Sequence, residues 1–384
     1  MPSPLALHGP TPVLGPRIPS SPRARCVAVP PARAARRTVA RAAPGDGGSV
    51  PKVVALGEAL FDCLADQIGL PKEQVTSWTP YPGGAPLNVA TACAQLGIPT
   101  AFVSAIGKDE LGDKLVALME KKGVDMSGLT RIDKPTRDVL VERKEGGDRV
   151  FAGFGSPTET YADCFVGPEM IPVALVAGAE VMVMGTLGLA QPETARGMKF
   201  AAEEAQKAGT AVLVDVNWRP VFWADPAAAL GPIKELLSCA SMIKLTDEEA
   251  EWLVGMPAAE AIKDPATLES KVKAVAPNCR GILVTGGEAG AAYSFGGVSG
   301  IQPVLDISVK DTTGAGDAFT AGFVFCLTQA GGLDKLLEDP KLLGRAVAFA
   351  SACGALTCSA PGAIDAQPSS DAVLKLMREQ TGYE

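Results

Sequence analysis

The segment best suited to chemistry lies near the carboxyl end of the 384-residue chain, at Asp311-Thr312-Thr313-Gly314-Ala315-Gly316-Asp317. It follows a polar stretch, 305–310, that predicts a strand and precedes an apolar stretch, 318–328, that predicts a helix. Small residues at 314–316 let backbone N–H groups converge on a ligand, and the positive end of the helix would stabilise charge on a phosphate. Asp317 can accept a proton from an attacking hydroxyl. Taken alone, the segment also fits a glycine-rich turn in which Asp317 is a simple N-cap.

A second glycine cluster, Tyr81-Pro82-Gly83-Gly84-Ala85-Pro86-Leu87-Asn88, precedes a helix predicted over 88–96. Its paired glycines permit close approach of the backbone to a hydroxylated ligand. Asn88 can both donate to and accept from sugar hydroxyls. On its own this pattern is equally typical of an ordinary loop.

Together the two clusters resemble the signatures of the ribokinase-like, or PfkB, family of carbohydrate kinases, and the resemblance extends over residues 52–384. The amino-terminal signature is matched by 83–90 with Gly97 and Gly107, and the carboxyl-terminal one by 311–317 with Ala321-Gly322. Further stretches are similar to fructokinases of the plastid type: 57–62, 215–219, 352–357 and 362–364.

This resemblance implies an ATP-dependent sugar kinase and gives roles by position. The catalytic base and the anion hole for the transferred phosphoryl group would be Asp317 with Gly314, Ala315 and Gly316. The sugar contacts would be Asp62, Gly83, Gly84 and Asn88. The nucleotide contacts would be Thr285, Gly287 and Gly290. The metal contacts would be Glu249 for Mg²⁺, and Asp311 and Thr313 for a monovalent cation such as K⁺.

Three further assignments have alternatives, and in the first of these Thr285, Gly287 and Gly290 form only a strand-to-turn junction. Thr246 stands where the family often carries the Asn of an Asn-x-x-Glu pattern that helps to hold magnesium, so only Glu249 is carried over. Glu249 also fits a solvated carboxylate at a helix start. Asp62 reads as a carboxylate that ends an apolar strand, where it would either bind ligand or cap the strand.

The elements that position these residues alternate between strand and helix. Buried strands are predicted at 53–56, 101–105, 181–184, 211–216, 242–245 and 281–285, and helices at 112–122, 193–208, 247–254 and 265–275. This order predicts an α/β fold, a doubly wound and mostly parallel sheet with helices on both faces, in one domain over 51–384. A polar hairpin predicted over 136–154 interrupts the alternation of strands and helices. It indicates a small antiparallel β lid, with strands within 58–82 and 136–155. Related lids often pair between subunits, so the resemblance also implies a homodimer.

The choice of sugar depends on a departure from the fructokinase pattern. Fructokinases tend to have an Arg and an Asn shortly after the lid hairpin, where this chain reads Phe154-Gly155-Ser156-Pro157. Arg137, Glu142 and Arg149 on the hairpin either compensate for that Arg or form a solvated face. Fructose is the leading substrate, and ribose, 2-keto-3-deoxygluconate or a nucleoside are alternative substrates. The alternatives to an active kinase are an inactive structural subunit and a sugar-binding regulator.

Composition excludes several classes of function. A net charge of -8 argues against nucleic acid as a partner, and no apolar run reaches the about 20 residues that a membrane span needs. The only His is His8, and the nine Cys show no metal-ligand spacing, which argues against a zinc site or a His-based triad.

The first residues have the composition of a transit peptide. The chain carries seven Arg and no acidic residue up to Pro44, and ten Pro within the first fifty positions. That many prolines disfavour the amphipathic helix of mitochondrial presequences. We therefore expect residues 1–48 to be a chloroplast address; the alternative is a basic tail with no address.

Overall fold

The computed structural model describes residues 50–145 and 149–383. Its strands are β1 Val53–Leu56, β2 Leu60–Ala65, β3 Trp78–Gly83, β4 Thr100–Gly107, β5 Asp125–Ile132, β6 Arg137–Arg143, β7 Arg149–Phe154, β8 Val181–Met184, β9 Ala211–Asp215, β10 Met242–Thr246, β11 Gly281–Thr285, β12 Ala291–Phe295 and β13 Val298–Gln302. Its helices are α1 Ala85–Gln95, α2 Glu110–Lys122, α3 Val173–Gly178, α4 Pro192–Ala208, α5 Leu230–Leu237, α6 Asp247–Val254, α7 Ala258–Ala261, α8 Pro265–Val275, α9 Ala315–Ala330, α10 Leu333–Glu338, α11 Pro340–Thr357 and α12 Ser370–Gln380.

Nine strands form the main sheet in the order β13-β12-β11-β10-β9-β8-β1-β4-β5. The seven strands from β11 to β5 run parallel, and β12 and β13 add an antiparallel edge. The predicted mostly parallel sheet is therefore confirmed. β1 is the switch point, since the chain first continues through β4 and β5 on one side and later returns through β8 on the other.

Helices cover both faces of this sheet because its central strands are apolar on both sides. On one face, Val54 and Leu56 belong to a core with residues of α4, α5, α6 and α8. On the other face, Val53 packs in a core with residues of α1, α9, α11 and α12. Because the seven central strands are parallel, their carboxyl ends lie at the same edge of this buried sheet.

A second sheet of four strands, in the order β3-β2-β6-β7, is formed by the segments predicted to be the lid. β2 pairs with β3 and β6 pairs with β7 in antiparallel fashion, while β2 and β6 run parallel. The predicted hairpin over 136–154 is thus confirmed, although residues 146–148 of its turn lie outside the described residues. We refer to this four-stranded sheet as the lid.

The predictions for one strand and for three helix starts were wrong. The strand predicted over 305–310 is irregular, because the N–H and C=O of Asp306 bond to the side chain of Gln380 instead of to a neighbouring strand. The helices predicted from residues 88, 112 and 318 begin earlier, at Ala85, Glu110 and Ala315.

The transit peptide predicted at 1–48 lies outside the described residues. No helix within residues 50–145 or 149–383 is long and apolar enough to cross a membrane.

Candidate active site

A cavity of about 1210 Å³ lies at the carboxyl ends of β9, β10 and β11, between the main sheet and the lid. Its walls contain most of the predicted site residues: Asp62, Gly84, Asn88, Glu249, Thr285, Gly287, Gly290, Thr313, Gly314, Ala315, Gly316 and Asp317. Gly83 and Asp311 lie beside these residues. The two signatures, separated by more than two hundred positions, thus meet in one place.

The anion loop, which we define as residues 312–316, leads into the first turn of α9. Gly314 is the N-cap of this helix, with φ of 79°, so a glycine suits the position. A Cβ at Gly314 would also lie 2.6 Å from the Cβ of Ala363. The N-terminal N–H groups of a helix attract anions, and here the helix begins at the cavity wall.

Asp317 is the third residue of α9, so the alternative in which it is a simple N-cap is wrong. Its Oδ2 accepts a hydrogen bond of 2.8 Å from Nδ2 of Asn88. Burial raises the pKa of Asp317 to about 6, and the hydrogen bond from Asn88 acts in the opposite direction. Asp317 is thus largely ionised at neutral pH and is close to the optimum for a general base.

The predicted sugar contacts come from the lid and from the start of α1. Asp62 lies in the middle of β2, so its interpretation as a strand-ending residue was wrong. A Cβ on Gly83 would approach Oδ2 of Asp62 to 3.1 Å, and one on Gly84 would lie 2.6 Å from the carbonyl oxygen of Glu58. Within the described part of the chain, the buried Oδ1 of Asn88 has no hydrogen-bond partner, which leaves an acceptor for a ligand hydroxyl.

Thr285, Gly287 and Gly290 line the cavity beyond the end of β11. Gly290 lies against the irregular segment 303–309, since a Cβ on it would be 2.9 Å from the N of Val304. Val304 and Val309 of this segment are exposed apolar side chains that also line the cavity. A polar strand end beside apolar side chains suits a nucleotide, whose base is apolar on its faces and whose ribose is polar.

The three predicted metal contacts are not gathered into one cluster. Glu249 is buried, and its oxygens accept the N–H groups of Thr246 and Trp218, so its interpretation as a solvated carboxylate was wrong. Asp311 accepts from the N–H and Oγ1 of Thr313 and from the N–H of Gly362. Among the residues that the structure describes, no three His, Cys, Asp or Glu side chains come together as a metal site.

The three charged lid residues that were candidates to compensate for the missing Arg have different surroundings. Arg137 is buried and makes hydrogen bonds of 2.7 and 2.9 Å to Asp163, so it is not available to a sugar. Glu142 accepts from the N–H of Lys72 and pairs with Lys144. Of these three residues, only Arg149 reaches the anion loop, with its guanidinium 3.5 Å from Oγ1 of Thr313 and 3.3 Å from Oδ2 of the neighbouring Asp311.

Sequence reasoning missed two ionisable residues beside the cavity. Lys244 lies within the buried strand β10 and pairs with Asp215, which ends β9. Glu58 is buried near Asp317, and burial raises its pKa to about 8. Their signal was available, because a Lys or Glu among apolar residues of a buried strand, or just after one, is rare unless the charge has a partner or a function.

Comparison of the chain with known proteins identifies its family. The model of the pfkB family carbohydrate kinase matches residues 50–370, nearly the whole described chain. The chain belongs to this family.

Curated relatives of this kinase include the probable fructokinase-5 of Arabidopsis thaliana, which is 32% identical over 87% of this chain and 99% of the relative. The probable fructokinase-6, chloroplastic, of the same plant is 33% identical over 87% of this chain and 84% of the relative.

Solved structures agree with the sequence comparisons. The fructokinase of Xylella fastidiosa with bound ATP has a TM-score of 0.74 and is 29% identical, covering 85% of this chain and 98% of the other. The fructokinase of Vibrio cholerae in a form with bound fructose, ADP and calcium ion has a TM-score of 0.70 and is 26% identical, covering 85% and 99%.

Proposed function

We propose that this kinase transfers the γ-phosphoryl group of ATP to the primary 6-hydroxyl of D-fructose. The observation that carries the proposal is the hydrogen bond between Asn88 and Asp317, which joins a sugar contact to the base beside the anion loop. The names and bound ligands of the two solved fructokinases support ATP and fructose as the substrate pair.

In the proposed reaction, Asp317 accepts the proton of the 6-hydroxyl while the hydroxyl oxygen forms a bond to the γ-phosphorus. The bond between this phosphorus and the bridging oxygen breaks, and that oxygen leaves with ADP. The N–H groups at the start of α9 stabilise the negative charge of the transferred group. Asp317 then returns its proton to solvent.

Asp62 and Asn88 orient the sugar in this scheme. Burial raises the pKa of Asp62, while the nearby Arg149 lowers it. The lid thus carries an acceptor for sugar hydroxyls at Asp62 and a positive charge at Arg149. The lid excludes water from the transferred group and so limits hydrolysis of ATP. Thr285, Gly287 and Gly290 hold the nucleotide.

Magnesium is proposed to arrive with the nucleotide, where it neutralises charge on the phosphates. Among the described residues no three carboxylates come together as a metal site, and both oxygens of Glu249 already accept backbone N–H groups. Glu249 therefore suits contact with the ion through water. The carboxylate of Asp311 likewise already accepts from N–H, hydroxyl and guanidinium donors. A role of Asp311 in binding K⁺ therefore remains a prediction. It is tested by comparing the rates of phosphorylation in KCl and in LiCl.

The experiment that tests the proposal is ADP release by the purified kinase with fructose, ribose, adenosine or 2-keto-3-deoxygluconate. Turnover with fructose is expected, together with its loss in EDTA. Undiminished turnover in EDTA would contradict the magnesium requirement. No ADP release with any acceptor would contradict the activity and favour an inactive subunit or a sugar-binding regulator.

A further inference from the structure

A buried ion pair lies directly beneath the anion loop. Lys244 and Asp215 are 5% and 4% exposed and stand opposite each other on the paired strands β10 and β9. The Nζ of Lys244 is 2.9 and 3.2 Å from the two carboxylate oxygens of Asp215. Burying such a pair carries a large desolvation penalty, and apolar residues of similar size are often at least as stable, so stability alone does not account for it.

The position of the ammonium links the pair to α9. A Cβ added to Gly316 would lie 2.9 Å from Nζ of Lys244, so a glycine at 316 leaves the ammonium its space. Oγ1 of Thr320 contacts both Oδ2 of Asp215, at 3.4 Å, and the carbonyl oxygen of Gly316, at 3.0 Å. The pair is therefore fixed to the turn that carries the base.

Charged groups from several elements act on Asp317. Asp215 on β9 opposes its ionisation, and Lys244 on β10 and Arg219 after β9 each favour it to a smaller extent. Glu58, after β1, is a further acid whose pKa responds to Asp317. Glu249 on α6 acts on Lys244, whose pKa is raised by its acidic neighbours despite burial, so Lys244 is cationic.

We propose that Lys244, held by Asp215, is a positioning residue whose buried positive charge keeps the Asp317 carboxylate ionised, so that Asp317 can take the proton of the acceptor hydroxyl. Asp215 makes burial of the ammonium tolerable, but its own charge disfavours ionisation of Asp317, and the charge of Lys244 counteracts that effect at the base. This inference deepens the proposed function and rests on it.

The inference predicts opposite pH shifts for the two partners. Removing the cation in Lys244→Met makes ionisation of Asp317 harder, so the acid limb of kcat/KM moves to higher pH by about one unit or more. Removing the anion in Asp215→Asn leaves the field of Lys244 unopposed, so the limb moves to lower pH. A role limited to packing lowers activity without moving the limb in opposite directions.

The control variant is Lys199→Met, which removes a lysine from a surface ion pair with Glu235, away from the cavity, and leaves the profile unchanged. Should Lys244→Met fail to fold, the comparison of Asp215→Asn with Asp215→Asn/Lys244→Met gives the same effect of Lys244 on a background without the buried anion. Coincident acid limbs in the folded variants of either comparison would overturn the inference.

A second measurement does not need turnover. The difference in thermal unfolding midpoint between wild type and Asp317→Asn, followed from pH 4 to pH 8, reports the titration of Asp317 in the fold. Because its folded pKa is raised, wild type loses stability relative to Asp317→Asn as the pH rises to about 6, and the difference then levels off. On the Lys244→Met background the levelling moves to higher pH; an unmoved curve would overturn the inference even if no sugar is phosphorylated.

Discussion

Asp317 is the residue on which the proposed chemistry depends, because it is the acid that lies at both the anion loop and Asn88. Asp317→Asn keeps the shape and an acceptor for Asn88 but removes the base. We expect kcat to fall by on the order of 10²- to 10⁴-fold with little change in ATP binding. The matched control is Asp371→Asn, since Asp371 occupies the first turn of α12 on the surface. Retention of more than about a tenth of wild-type kcat would show that another group is the base.

Glu58 gives a separate prediction about stability and pH. Its folded pKa of about 8 lies above the ordinary value of a glutamic acid because of burial, so the folded protein binds its proton more tightly than the unfolded chain. Its contribution to stability is present at low pH and is lost as the pH rises to about 8. Glu58→Gln cannot ionise, so its unfolding midpoint should gain on wild type between pH 5 and pH 8. Parallel midpoints across this range would contradict the assignment, with Glu110→Gln on α2 as the control for the amide substitution.

Sequence reasoning predicted which residues meet in one cavity better than it predicted the surroundings of those residues. The glycines and Asp317 follow from a motif, whereas the pairing of Lys244 with Asp215 depends on which strands are neighbours, and that is settled by tertiary structure. Arg137 was read as a lid charge, and only the folded chain shows it bound to Asp163.

At the scale of elements, six of the nine strands of the main sheet were predicted within two residues, because their apolar runs are short and bounded by polar segments, whereas β5, β12 and β13 were not predicted. Helix starts were harder. α1 and α9 begin just after Gly84 and Gly314, glycines that the sequence presents as loop residues and that the structure uses as N-caps. The segment 305–310 was misread as a strand because its alternation comes from packing on the helices, with Leu305 buried in their core and Val309 exposed.

The lid leads to a prediction about assembly. Val150 and Phe151 are adjacent on β7 and each 42% exposed, but they point to opposite faces, and Phe151 shares the cavity face with Val141 and Asp62. If the lids of two subunits pair through this face, Phe151→Thr should weaken a dimer in sedimentation experiments, while Val150→Thr should not. A wild-type monomer at micromolar concentration, or equal effects of the two variants, would contradict pairing through this face.

At the scale of the whole molecule, the prediction concerns the amino terminus. The proline- and arginine-rich segment 1–48 is proposed to direct the kinase to the chloroplast, and the name of a chloroplastic relative supports this. We expect the protein isolated from plastids to start near residue 48, shortly before β1. Mass spectrometry of the amino-terminal peptide tests this, and a mature protein that keeps residues 1–48 would contradict it.

The central claim is that this kinase phosphorylates D-fructose bound in the cavity. The specificity constant, kcat/KM, tests this claim most directly. We predict that kcat/KM for D-fructose exceeds the values for ribose, adenosine and 2-keto-3-deoxygluconate, measured with the same enzyme and saturating ATP. A preference of more than about tenfold for any of the other three, equivalent to roughly 1.4 kcal/mol of transition-state binding, would contradict the fructose assignment and leave a carbohydrate kinase of another specificity.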